Sequence, residues 1–211
     1  MKNINMGSFL NEETNNVILV GSISNGFTFS HEYNGEKFYR TEIITTRKSG
    51  TEDLVPLMVS DHLVEIGQSY VQKRFKIQGQ LRTYNYHEND KTHLLLFVFV
   101  REIEEVDETC KDQNEIIVKG FVCKKPIYRK TPNGREIADM LIASNRMYNK
   151  SDYLPCICWG RNARYTGTFQ VGTRIMIIGR VQSREYEKRI NETITKRTAY
   201  EVSVDSMQLI E

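Results

Sequence analysis

Tyr148, Tyr153 and Trp159 fall within one short segment, with Arg146, Lys150 and Arg161 between and beside them. A second run, from Arg174 to Tyr186, alternates: Ile175, Ile177 and Val181 have one parity, and Arg180, Gln182, Arg184 and Tyr186 the other. Strand side chains switch faces at each residue, so this pattern predicts an apolar inner face and an outer face of arginines ending in a ring. Rings that stack on bases, set among cations that follow phosphates, are what a single-stranded nucleic acid requires. Any one ring alone reads as readily as a core aromatic. Four together, each beside Arg or Lys, argue for a surface.

The elements that must position these residues come in two copies. Gly21 recurs as Gly120, Asn34-Gly35 as Asn133-Gly134, Ile43 as Ile142, Arg47 as Arg146 and Pro56 as Pro155, each pair 99 apart. Further on the offset is 100, matching Gly79 with Gly179 and Tyr86 with Tyr186. Two units at that spacing are domain-sized, so this is a fold copied once and not a solenoid. In the first copy, strands are expected at Val17 to Ser24, Phe38 to Thr46, Val55 to Val59, Phe75 to Tyr86 and His93 to Val100. Asn34-Gly35 and Asn133-Gly134 read as hairpin turns, because Asn and Gly both tolerate positive φ. A short helix is expected between strands three and four of each copy, at Asp61 to Tyr70 and at Arg161 to Phe169. The class is therefore all-β: two tandem five-stranded Greek-key barrels in the order of the OB-fold, with another small Greek-key barrel as the alternative. The expected division is an N-terminal arm at 1–15, a first barrel at 16–106, a linker at 107–113 and a second barrel at 114–211.

Composition narrows the function. Hydrophobic residues at 39% and charged residues at 27% are ordinary for a globular protein. No run approaches the roughly 18 apolar residues of a membrane span, and Met1 to Thr14 lacks signal-peptide order, so a cytoplasmic location is expected. The net charge of +2 hides an asymmetry: residues 114–211 hold 17 Lys+Arg against 10 Asp+Glu, and residues 1–113 hold 12 against 17. Such a division points to a nucleic-acid-binding half. Cys110, Cys123, Cys156 and Cys158 form no C-x-x-C pair, and Cys156 and Cys158 read as small core residues. All four histidines lie in the first copy without metal-ligand spacing, and no catalytic triad or phosphate-cradling loop is present. The expectation is no enzyme, no metal and no cofactor.

Residues 114–211 resemble the bacterial single-stranded-DNA-binding protein family. The likeness rests on Gly120, on "TPNGR" (Thr131 to Arg135) and on "LIASNR" (Leu141 to Arg146). It continues through "YLPCICWGRNA" (Tyr153 to Ala163) and "VGTRIMIIGRVQSREY" (Val171 to Tyr186). The resemblance implies a role in replication, repair or recombination, with base-stacking rings at Tyr148, Tyr153, Trp159 and Tyr186. The cations expected to meet phosphates are Arg146, Arg161, Arg180 and Arg184, then Arg135 at the hairpin rim and Lys188 in the long loop after strand four. Trp159 shares its strand face with Ile157, which makes a bulge before it one resolution.

The first copy departs from that pattern. Tyr148 corresponds to Ser49, Tyr153 to Leu54 and Trp159 to Ser60, leaving Tyr86, with Tyr84 and Arg82 on its face, as weaker candidates. Little affinity is expected from this half, whose role would be to complete an oligomer or receive a protein. Family barrels assemble in fours, so the resemblance implies a homodimer. Tyr200 to Ile210 reads as the last strand, and no acidic recruiting tail is expected after it. The competing reading is a protein-interaction or primosome-type barrel acting as an accessory at replication forks.

Overall fold

In a computed structural model, residues 14–88, 91–146, 149–190 and 193–210 are described, with 86–88, 91–93, 188–190 and 193–194 described by backbone alone. Each half closes the same circuit of strands. The first half contains Asn15–Ile23 (β1), Thr28–Tyr33 (β2), Glu36–Thr46 (β3), Glu52–Ser60 (β4), Arg74–Glu88 (β5) and Lys91–Glu105 (β6). The second contains Gln113–Val122 (β7), Ile127–Lys130 (β8), Glu136–Arg146 (β9), Lys150–Trp159 (β10), a helix at Arg161–Thr166 (α1), Arg174–Ile190 (β11) and Thr193–Leu209 (β12). The order β3-β4-β6-β5-β1 closes through a β1–β3 pairing, and β9-β10-β12-β11-β7 closes through β7–β9. All pairings are antiparallel except β4–β6 and β10–β12, where Leu57 lies opposite Val98 and Cys156 opposite Val202. This is the OB-fold barrel, twice.

Alternation fills each barrel. Val55, Leu57 and Val59 of β4, and Leu154, Cys156 and Cys158 of β10, point inward and are almost wholly buried. Burial pushes the Cys158 thiol up to about 12, in keeping with a packing role. Four of the glycines shared by the two halves mark close approaches of backbone. A Cβ on Gly21 or Gly120 would collide with the carbonyl of Ile44 or Ala143, and one on Gly79 or Gly179 with that of Phe99 or Ser203. Gly79 and Gly179 each sit at a register shift, where the barrel bends.

Four elements differ from expectation. The short strands β2 and β8 were not foreseen, because neither alternates; β8 is exposed throughout and β2 nearly so. The first half has no helix between β4 and β5. Residues 61–70 run through turns and an isolated Ile66–Gln68 bridge, with Gly67 at φ 123°. Val64 and Ile66 are β-branched and Gly67 costs helix stability, so nothing there favours a helix. In the second half Ala163 and Thr166 are buried on α1, which stops at Thr166, short of Phe169. The turns also diverge. Asn34 and Gly35 both take positive φ, as a two-residue turn needs, whereas only Gly134 does so in the longer Thr131–Arg135 loop.

The halves join along a local two-fold axis. β1 and β7 pair antiparallel with Val17 opposite Ile116, which are equivalent positions in the two copies. Around that pair two sets of polar contacts occur twice. Asn15 donates to the Leu81 carbonyl at 2.6 Å and accepts from its N–H at 3.0 Å; Asn114 does the same with Val181 at 2.7 and 2.9 Å. Fully buried Asp53 accepts from the Ser183 N–H at 3.1 Å, and fully buried Asp152 from the Thr83 N–H at 2.7 Å. The connecting segment is tied down as well, since the Asp112 carboxylate accepts from Arg74 and from the Thr46 N–H.

Candidate nucleic-acid interface

The outer face of the second barrel is built by β8, β9, β10, β12 and β11. Along β10, Tyr153, Pro155, Ile157 and Trp159 share the parity opposite to the core residues, and the β9–β10 register runs unbroken from Lys150 to Trp159. No bulge separates Trp159 from Ile157; both lie outside the barrel, and Ile157 is covered by its neighbours. Tyr153 is 48% exposed and Trp159 37% exposed. Cross-strand partners share a face, so Ile157 opposite Ser203, and Ser203 opposite Arg180, put Arg180 on the side of the rings. The same ladder adds Gln182, Arg184 and Tyr186, opposite Glu201, Ala199 and Arg197. Small residues on β12, Ala199 and Ser203, form the floor, and the rings and guanidinium groups stand around it.

Carboxylates orient these cations. Arg180 reaches Asp205 at 3.2 Å and Gln182 at 3.3 Å, and Arg184 lies 3.7 Å from Glu201, with its guanidinium 5.8 Å from the Tyr186 ring centre. Partial burial pushes the Asp205 carboxyl up, against the pull of Arg180. Arg161 is exposed at the start of α1, just after Gly160 turns at φ 53°. Arg135 is exposed at the hairpin rim, its N–H held by the Thr131 hydroxyl at 3.1 Å.

Other expected residues lie elsewhere. Arg146 is 3.0 Å from Asp152 at the junction of the barrels, matching Arg47, which grips Asp53 through two bonds of 2.5 and 2.6 Å. Tyr148, the ring of Tyr86 and the side chain of Lys188 fall outside the described residues, as does most of the N-terminal arm. Two residues join the face unforeseen. Arg129 and Ile127 on β8 stand opposite Ile137 and Asp139, and so in the rows of Trp159 and Ile157. Arg129 is held by Asp139 at 3.0 Å, and Ile127 is 65% exposed. The signal that could have found them was their place in the hairpin arm before Asn133-Gly134, which must pair with the strand after it.

An OB barrel with open rings and ordered arginines across its strands defines a class of oligonucleotide-binding modules. The model of the single-strand binding protein family matches residues 113–210. Single-stranded DNA-binding protein A of Bacillus subtilis is 30% identical over 105 residues, spanning 46% of this chain and 59% of its own. The single-stranded DNA-binding protein of Clostridium tetani is also 30% identical over 105 residues, spanning 46% of this chain and 70% of its own. The chain thus belongs to the single-strand binding protein family. It covers 59% and 63% of the length of the curated relatives from Bacillus subtilis and Oceanobacillus iheyensis. The fold extends over both halves in the crystal structure of the single-stranded DNA binding protein from Thermus aquaticus, with a TM-score of 0.75 at 15% identity over 93% of each chain.

Proposed function

We propose that this protein binds single-stranded DNA with little sequence preference, in replication, repair or recombination, by stacking bases on rings and holding phosphates with arginines. The observation that carries the reading is the single outer face on which Tyr153, Trp159 and Tyr186 stand exposed among Arg180, Arg184 and Arg161. Stacking is sequence-tolerant because every base has a π-face, and phosphate contact is indifferent to sequence. Tyr148 joins the set as the ring that follows β9, and Arg135 and Lys188 as cations at the rims. Arg146 serves chiefly the junction, where Asp152 holds it.

The protein acts without catalysis, in the cytoplasm. Among the described residues, no helix is long and apolar enough to cross a membrane, and no cluster of His, Cys, Asp and Glu is placed to hold a metal. It works as a homodimer of four barrels. The sheet running β5-β1-β7-β11 across the local two-fold axis offers Ile18, Ile117 and Ile178 on its outer side as the contact. A reading as a protein-interaction barrel is favoured by one observation: Leu54 and Ser60 stand in the first half where Tyr153 and Trp159 stand in the second.

The test is a salt titration with fluorescent oligonucleotides. Tight binding of single strands, much weaker binding of duplex and quenching of Trp159, the sole tryptophan, are expected. Equal affinity for duplex would overturn the proposal in favour of the protein-interaction reading.

A further inference from the structure

The sheet that runs through both barrels ends in two short edge strands, β2 in the first half and β8 in the second. They are the same strand of the duplicated fold. Thr28 pairs with Arg40 and Glu32 with Lys37, as Ile127 pairs with Asp139 and Lys130 with Glu136; a register shift between Phe29 and His31 takes up one extra residue in β2. At these matched positions the charges are exchanged. Glu32 stands where Lys130 stands, Lys37 where Glu136 stands, and Arg40 where Asp139 stands. The exchange continues beyond the pairing, since at the offset of 99 Glu36 is matched by Arg135 and Glu65 by Arg164.

Both edges are open. Neither strand pairs with a further strand among the described residues, so each presents a row of backbone N–H and C=O groups. Cations on such an edge ordinarily keep chains apart. The second rim has that character, with exposed Lys124, Lys125, Arg129, Lys130 and Arg135 against Glu136 and Asp139. The first rim does not. It carries Glu32, Glu36, Asp61 and Glu65 against Lys37 and Arg40, with His62 3.8 Å from Glu36. It also bares rings: Phe29 is 53% exposed and Tyr33 68% exposed. Where the second barrel carries α1, with Arg164 3.3 Å from Glu136, the first has turns around an open cavity of about 350 Å³ lined by Lys37, Asp61, His62 and Glu65.

We propose that β2 of one molecule docks on β8 of a second copy of this chain, seating the acidic rim of the first barrel against the basic rim of the second. Backbone pairing between edges supplies the ladder, and exposed Phe29, Tyr33 and Ile127 supply apolar area. Charge selects the combination. Pairing β2 with β2 brings acid to acid, and pairing β8 with β8 brings base to base, so only β2 with β8 is attractive. A molecule that uses β2 on one neighbour keeps β8 for the next. The contact is therefore head to tail and propagates into a ring or an open row, unlike a two-fold contact, which closes on itself. It is separate from the sheet across the local two-fold axis and does not depend on single-strand binding.

The experiment is sedimentation velocity of the full chain without DNA, over a range of protein concentrations at low ionic strength and again in about 1 M salt, where the screening length is about 3 Å. The wild type is expected to form a concentration-dependent series of species that continues beyond two copies at low ionic strength, and to lose it in high salt. E32K/E36K makes both rims basic, and K124E/K125E/K130E/R135E makes both acidic. Each variant alone is expected to associate at least about tenfold more weakly. Mixing the two is expected to restore association, and so is combining both sets of substitutions in one chain, which exchanges the rims. Unchanged association of either variant, or no recovery in the mixture and in the combined chain, overturns the proposal. A wild type that never passes two copies overturns it as well. No DNA is present, so none of these outcomes bears on the single-strand titration, which tests the proposed function by itself.

Discussion

Replacing Tyr153 and Trp159 together by alanine probes the proposed face most directly. Both rings sit on the outer side of β10, six residues apart, so about 20 Å of strand separates them. That distance places them on different bases, and losses at sites so far apart add. Each stacking ring contributes about 1–3 kcal/mol per base, giving about 2–6 kcal/mol for the pair. At about 1.4 kcal/mol per decade the double variant should bind about 30-fold to 10⁴-fold more weakly. Trp159 is 37% exposed and stands opposite buried Ile137, so only part of its ring is open to a base, which argues against the upper end. The assay is fluorescence anisotropy of a labelled dT oligonucleotide at fixed salt, with circular dichroism and thermal melting to show that the barrel survives. Binding within threefold of the wild type by a folded double variant would refute the stacking argument. Strong non-additivity of the two single variants would refute the separate-base geometry.

Trp159→Ala with Tyr148→Ala should weaken single-strand binding far more than Tyr84→Ala with Tyr86→Ala, as measured in the same titration; comparable losses would mean that the two halves had been misjudged. Removing the charges of Arg180 and Arg184 as glutamines should lower the slope of log affinity against log salt by about 0.7 for each phosphate no longer neutralised, read from titrations across salt concentrations. Burial raises the Asp152 carboxyl, so the folded state holds its proton to higher pH than the unfolded chain. Stability should therefore fall as pH rises from the ordinary carboxylate range through the raised value, and Asp152→Asn should flatten that fall in denaturant titrations at successive pH values. Gly179→Ala puts a Cβ into the Ser203 carbonyl at the barrel's bend and should cost about 1–3 kcal/mol of stability by thermal or denaturant unfolding.

The period-two pattern in β4, β10 and β11 was enough to read barrel strands and their inward residues, since a half-buried strand has no other way to satisfy both faces. In β11 it also placed Arg180, Arg184 and Tyr186 on one side, whereas in β10 it set Trp159 with apolar Ile157 and left the side of that ring open. The β2 and β8 strands left no such pattern, because a short strand at the edge of a sheet needs only backbone pairing. The missing helix in the first half has a local cause that spacing masks. Asp61 to Tyr70 contains polar and apolar residues at helical spacing, but Val64 and Ile66 are β-branched, Gly67 takes a positive φ, and Val64, where the second copy has Ala163, packs against the core without a helix. The role of Arg146 could not be read either, because Asp152 becomes its partner through a junction that exists only once two barrels meet.

That junction also bears on why the two halves differ where they do. Asp53 with Ser183 and Asp152 with Thr83 bond across a local two-fold axis, so a change at one of them removes a partner from the opposite barrel. An unsatisfied buried carboxylate or N–H costs about 1–3 kcal/mol or more, which confines both copies to the same solution there. The outer faces carry no such reciprocal constraint: a ring on β4 or on β6 leaves the barrel equally well packed. Duplication within one chain thus fixes the two-fold contact and leaves each face to diverge with its ligand. That is the arrangement found, with shared polar contacts at the junction and rings on β10 that β4 lacks.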